Sequence, residues 1–113
     1  MIAPRLHANL SLEKWCSYSQ GQQILMIANE LNRAANWIEK DQNLESNMCY
    51  ERAFELIDLT VEDAKWRGRL RELLRLREIL AELYLQESKD SRLNRFAYDA
   101  IISLDPEAYN LLH

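Results

Sequence analysis

The chain has 113 residues, of which 48% are apolar and 28% charged, and its formal net charge is −4. That balance is typical of one globular domain over residues 1–113 and excludes a disordered tail or a membrane protein. With two Gly and two Pro, the chain lacks the turn residues of a small β-sandwich or barrel, so long helices are predicted. The acidic pI near 5.2 argues against a whole surface that binds nucleic acid or anionic membrane.

The amino terminus and the cysteines indicate a cytoplasmic protein. Residues 1–7 contain no apolar signal-peptide core, and no segment approaches about 18 uninterrupted apolar residues. Cys16 and Cys49 match no CxxC signature, and two cysteines in a chain this long are no disulfide framework. We therefore expect two reduced thiols.

The first predicted helix spans residues 12–40. Ser11 supplies a capping hydroxyl, and from Ile24 onward apolar residues recur at spacings of three and four. The weak point of this helix is the polar stretch 17–23, because Gly21 costs about 1 kcal/mol relative to Ala inside a helix. The sequence therefore leaves open whether this helix kinks or breaks near Gly21.

Three more amphipathic helices are predicted over residues 46–59, 61–87 and 91–104, followed by a short turn over 106–112. Their predicted core positions are Met48, Ala53, Leu56 and Ile57, then Leu70, Leu73, Leu74, Leu80, Leu83 and Tyr84, then Leu93, Phe96, Ala97, Ala100, Ile101 and Leu104. Because short connections force sequential helices to pack antiparallel, we predict an all-α, single-domain, up-down four-helix bundle.

Folding the second and third helices back around Thr60 predicts which of their charges face each other. Facing residues would then lie equally far before and after Thr60 in the chain. The predicted pairs, each of opposite sign, are Glu55 with Lys65, Glu51 with Arg69, and Glu45 with Arg75.

The third helix contains the most conspicuous run of charge. From Lys65 to Arg77, six of thirteen residues are cations and one is an anion. Arginines beside a Trp can grip phosphates and stack on bases, so nucleic-acid or phospholigand binding is one interpretation. Over residues 62–87, however, positive and negative charges are equal in number, which is typical of a solvated, salt-bridged face. The candidate interaction surface comprises Trp66, Arg67, Arg69, Arg71, Arg75 and Arg77.

The same charges allow a third interpretation, which is self-association. Arg67, Arg71 and Arg75 are four residues apart and so share one helix face, with Glu78 and Glu82 following nearby. A stripe that is basic at one end and acidic at the other complements itself when two copies meet inverted in a two-fold dimer.

The sequence shows no constellation for catalysis, a cofactor or a metal. His7 and His113 lie at the two chain ends, so no internal His can act as a base or ligand. Metal-ligand spacings and glycine-rich phosphate loops are also missing. We therefore predict a non-enzymatic protein-interaction module, adaptor or chaperone-like, that forms a homodimer and binds no membrane; nucleic-acid binding through the third helix is the alternative. A secondary candidate surface is the pair Trp15 and Tyr18.

Overall fold

The computed structural model describes residues 10–112, and this part of the chain contains helices and no strands. The α-helices are α1 (Leu12–Cys16), α2 (Gln20–Glu39), α3 (Asn43–Val61), α4 (Leu70–Leu85), α5 (Ser91–Ile102) and α6 (Pro106–Leu112), with a 3₁₀ helix at Ala64–Arg69 between α3 and α4. The predicted all-α class is confirmed. None of the helices within residues 10–112 has the length and apolar content needed to cross a bilayer.

The four long helices pack as a ring, in which each of α2, α3, α4 and α5 contacts the next and α5 returns to α2. Hydrogen bonds between helices show the directions in which the helices run. Arg77 of α4 bonds to Asp58 of α3, while Asn43 at the start of α3 donates to the carbonyl of Glu87 just beyond α4. Sequential helices therefore run antiparallel around one core, as the short connections predict. The short helices α1 and α6 pack on α3 and α2 respectively.

The predicted first helix is interrupted, and the break at residues 17–19 lies within the polar stretch 17–23 that the sequence marks as its weak point. Ser19 starts α2 with a capping box, because its Oγ accepts from the Gln22 backbone N–H at 3.1 Å and Gln22 Oε1 accepts from the Ser19 N–H at 2.9 Å. Gly21 is buried in the first turn of α2, where a side chain would meet the carboxylate of Glu107. The glycine thus leaves room for the side chain of Glu107.

The turn after α2 is a Schellman motif with a non-glycine residue in the left-handed position. Asp41 has a φ of 58°, and its N–H donates to the Ile38 carbonyl at 3.0 Å while the Gln42 N–H donates to Trp37 at 2.9 Å. This compact exit lets α3 begin at Asn43, three residues before the predicted start.

The predicted third helix also divides. Asp63 Oδ1 accepts from the Lys65 N–H and begins the 3₁₀ helix, so the α-helix starts only at Leu70. The 3₁₀ helix shifts α4 along α3 relative to the predicted register. The charge pairs predicted around Thr60 are therefore wrong. The pairs formed instead are Lys65 with Asp63 at 2.8 Å, Arg69 with Glu72 at 3.7 Å, and Arg77 with Asp58 at 2.8 Å.

A buried polar residue decides which face of α5 points inward. Asn94 Oδ1 accepts a 2.7 Å hydrogen bond from the Tyr50 hydroxyl, and its Nδ2 donates to the Leu31 carbonyl at 3.1 Å. With Asn94 and Ala97 inside, Phe96 is left 59% exposed. The predicted core residues that prove exposed are Phe96, Leu74 and Met48.

Candidate interaction surface on α4 and α5

Trp66, the aromatic member of the predicted surface, is buried and so does not belong to that surface. Its side chain is 1% exposed, and its Nε1 donates a 2.7 Å hydrogen bond to Gln23 Oε1. Trp66 is the buried residue of the 3₁₀ helix that Asp63 caps. Stacking of Trp66 on a base would require this part of the core to open.

The secondary candidate, Trp15 with Tyr18, is a core pair as well. Trp15 has no exposed surface, and its Nε1 donates to Thr60 Oγ1 at 3.1 Å. Tyr18 is half-buried and packs edge-on against Trp15 with ring centroids 6.0 Å apart. The hydrogen bond from Trp15 to Thr60 joins α1 to α3, and Tyr18 packs beside it.

The five arginines of the predicted surface divide into two groups. Arg77 is held by Asp58 and lies over the Phe54 ring, 5.0 Å from its centroid. Arg69 donates to the Leu104 carbonyl at 3.2 Å, so it ties the start of α4 to the end of α5. The remaining arginines, Arg67, Arg71 and Arg75, are exposed and have no ion-pair partner within residues 10–112.

An apolar groove of about 210 Å³ lies between α4 and α5 and contains Arg75 at its edge. We call it the α4–α5 groove, and its lining residues are Glu72, Arg75, Leu76, Ile79, Phe96, Ala100, Ile101 and Leu104. The exposed ring of Phe96 stands at this groove. A partly open apolar groove edged by charges has the composition of a protein interface, with an apolar centre and a polar rim.

Sequence reasoning missed Phe96 as a site residue because its spacing on α5 fits the core pattern. The signal that could have found it is Asn94, a polar residue of the same helix whose side chain points into the core and is hydrogen-bonded there. Once Asn94 is inside, Phe96 must lie to one side, since residues two apart in a helix do not share a face. Periodicity alone gives no reason to place an Asn inside.

The outward face of α4 carries four exposed charges in a fixed order. We call Arg71, Arg75, Glu78 and Glu82 the α4 stripe. All four are exposed, and none has an ion-pair partner within the described residues. Arg67 lies in the 3₁₀ helix, before the α-helix that carries the stripe. The α4 stripe and the α4–α5 groove meet at Arg75.

A larger hollow of about 420 Å³ lies between α2, α5 and α6. Its charged lining residues, Arg95 and Asp99, pair with each other at 3.3 Å, and Arg95 also lies over the Tyr98 ring. The amide of Asn94, also in its wall, is already engaged by Tyr50 and Leu31. The polar groups named here are therefore already paired and do not point together toward a place where a ligand could bind.

Cys16 and Cys49 are both free thiols in the structure. Burial raises the pKa of Cys16, and the nearby Asp63 raises it further. Burial also raises the pKa of Cys49 and outweighs the opposite effect of Arg52. A raised pKa lowers the thiolate fraction, which is the opposite of what activates a nucleophilic cysteine. In residues 10–112, no three His, Cys, Asp or Glu side chains cluster in a way that could hold a metal ion.

The chain matches no family model, and comparisons with curated proteins and with solved structures found no similar protein.

Proposed function

We propose that this protein is a non-enzymatic interaction module of the cytoplasm, adaptor or chaperone-like and self-associating, which binds a protein partner through α4 and α5. The α4–α5 groove carries this proposal. Its apolar lining and the 59% exposed ring of Phe96 offer area that a partner can remove from water, at about 25 cal/mol per Å². Arg75 and Glu72 at its edge supply both signs of charge for orienting the partner.

The unpaired thiols are compatible with a reducing compartment such as the cytoplasm. Cys16 and Cys49 are both free, and Cys49 is completely buried. Disulfides are rare where glutathione and thioredoxin keep thiols reduced.

Site-specific photo-crosslinking tests the proposed docking position. Phe96 is replaced by p-benzoylphenylalanine in the full chain, expressed in cells, and irradiated. We expect one discrete polypeptide adduct at position 96 and none when the same probe replaces Asn29, an exposed residue of α2. Ala100→Arg places a long side chain in the groove and should remove the adduct, while circular dichroism shows that the helical fold is kept.

The absence of any adduct at position 96, with a second copy or with another protein, would overturn the proposal. So would equal adducts from positions 96 and 29, because the groove would then have no preference over an ordinary exposed helix face. An adduct that survives Ala100→Arg at full yield would also count against the groove.

The alternative is binding of nucleic acid or a phospholigand, supported by the exposure of Arg67, Arg71 and Arg75 without internal partners. Phosphate contacts release counterions, so affinity should fall steeply with salt. Purified protein would carry absorbance at 260 nm that disappears in high salt, and Arg71→Glu should abolish binding. Binding that is insensitive to salt would contradict this alternative.

A further inference from the structure

The α4 stripe has a charge order that its own helix does not favour. Arg71 and Arg75 are like charges four residues apart, and so are Glu78 and Glu82, and each such pair destabilises an isolated helix by about 0.2–0.5 kcal/mol. The arginines are nearer the amino end of α4 and the glutamates nearer the carboxyl end, which opposes the preference set by the helix dipole. The order is therefore not explained by the stability of α4 itself.

No ion pair within the described residues engages the four stripe residues, although Arg75 and Glu78 have the favourable spacing of three. The salt bridges of this region engage the neighbouring residues Arg69, Glu72 and Arg77, which do not belong to the stripe. The neighbouring helices α3 and α5 pack on the other sides of α4, so the stripe faces away from the bundle.

The stripe is symmetric about the midpoint between Leu76 and Arg77. Arg71 lies as far before that point as Glu82 lies after it, and Arg75 and Glu78 are related in the same way. We infer that the partner of α4 is a second copy of this chain, whose α4 packs antiparallel so that Arg71 meets Glu82 and Arg75 meets Glu78 of the other copy. This inference rests on the proposed function and names the partner of the same surface.

A two-fold axis through that midpoint makes four opposite-charge contacts from four residues, because each contact occurs twice. The two helix dipoles also run antiparallel in this arrangement. Leu74, which is 48% exposed, lies beside the stripe on α4, so a second copy also covers apolar area there. The two α4–α5 grooves lie on the same side of the paired helices, so the second copy narrows the opening beside Phe96.

Paired charge-reversal variants of the full chain provide the test, with sedimentation velocity as the measurement. At about 50 mM salt, the wild-type protein should have twice the 13.4 kDa mass of one chain. The dimer should dissociate near 0.5 M salt, where screening reduces contacts between exposed charges. Arg71→Glu/Arg75→Glu and Glu78→Arg/Glu82→Arg each place like charges opposite one another, and each should weaken dimerisation by about tenfold or more.

Mixing the two variants is the decisive step. A copy with four acidic stripe residues and a copy with four basic ones restore every opposite-charge contact, so the mixture should form a heterodimer. Arg67→Glu/Arg92→Glu is the matched control, because it makes the same change in net charge at exposed arginines outside the stripe. The control should remain a dimer.

A wild-type protein that stays monomeric at low salt would overturn the inference. A dimer that tolerates both reversals would also overturn it, as would failure of the mixed variants to associate. These results are separable from failure of the proposed function. A Phe96 adduct with a different protein, combined with a monomeric wild type, keeps the interaction module but removes the second copy as its partner, whereas no adduct at all removes the module.

Discussion

The indole Nε1 of Trp66 donates a 2.7 Å hydrogen bond to the side-chain oxygen of Gln23, and both side chains are buried. The nitrogen of the same amide donates to the Trp15 carbonyl at 2.9 Å and to Asp63 Oδ2 at 2.8 Å. One amide therefore joins α1, α2 and the 3₁₀ helix. Removing the amide leaves the buried Trp66 Nε1 without its acceptor, while the Trp15 carbonyl and Asp63 each lose one donor and keep another, from Tyr18 and Lys65 respectively.

Replacement of Gln23 by Met should reduce the free energy of unfolding by about 2–4 kcal/mol. Methionine has similar length and helix propensity, so the loss isolates the hydrogen bonds rather than a cavity or the helix. Urea denaturation followed by circular dichroism measures it. Asn29→Met, at an exposed position of α2, should change stability by less than about 0.5 kcal/mol. Equal effects of the two substitutions would contradict the role of the amide.

Asp63 should make stability depend on pH in the acid range. Burial alone would raise its pKa, but hydrogen bonds from Gln23 and Lys65, together with the Lys65 charge, lower the pKa below its usual 3.8. A carboxyl group with a lowered pKa stabilises the fold above its unfolded value and loses that contribution as the pH falls through the folded value. Asp63→Asn removes the titration while leaving a side chain that can cap the 3₁₀ helix.

The difference in unfolding free energy between wild type and Asp63→Asn should therefore be complete at pH 6 and shrink below about pH 4. Urea titrations at several pH values from 6 to 2.5 measure this difference. A difference that stays constant over that range would show that the Asp63 charge does not contribute.

Tyr50 should make stability depend on pH in the alkaline range. Burial raises the pKa of its hydroxyl well above the usual 10.0, and Cys49 raises it further. A group whose pKa is raised stabilises the fold below the unfolded value and loses that contribution as the pH rises toward the folded value. The wild-type protein should thus lose unfolding free energy above about pH 10.

Tyr50→Phe should reduce that alkaline loss, leaving the part that the raised thiol pKa values of Cys16 and Cys49 contribute. It should also cost about 1–3 kcal/mol at pH 7, because Asn94 Oδ1 loses its buried donor. Tyr98→Phe, at a half-buried position of α5, is the control. This variant should retain the alkaline loss of unfolding free energy. The same alkaline slope in Tyr50→Phe as in the wild type would contradict the assignment to Tyr50.

Asp41 is a position where glycine should stabilise the protein. Its φ of 58° lies in the left-handed region, which side chains disfavour and glycine adopts freely. Asp41→Gly should raise the free energy of unfolding by about 0.5–1 kcal/mol, whereas Asp41→Ala should not raise it. Thermal and urea unfolding of the two variants test this, and a stabilisation by Ala equal to that by Gly would contradict strain at this residue.

Much of the architecture follows from local patterns. Helix periodicity, the capping residues and the short connections predict all four long helices and their antiparallel order, because these signals act over a few residues. The predicted α6 span is also correct. The bounds that failed include those at Ser19 and Asp63, where a polar side chain starts a new helical segment, and the start of α3 at Asn43, which has no side-chain cap.

The candidate surface was only partly predictable. The arginines on the outside of α4 could be found from charge density, and Arg71 and Arg75 do lie on its exposed face. Trp66 could not be placed from its neighbours in the chain, since its burial depends on an amide that lies 43 residues away. Phe96 could not be found either, because its exposure depends on the bond between Asn94 and Tyr50.

The sequence by itself determined the all-α class, the positions of the long helices and the inverted charge order along α4, since all three are carried by residues within a few turns of one another. Only the tertiary structure decided which aromatic rings are buried, how α4 is displaced against α3, and that a groove remains beside Phe96. The reason is physical: these features depend on hydrogen bonds and packing between distant segments, such as Gln23 with Trp66 and Asn94 with Tyr50, that no local period encodes.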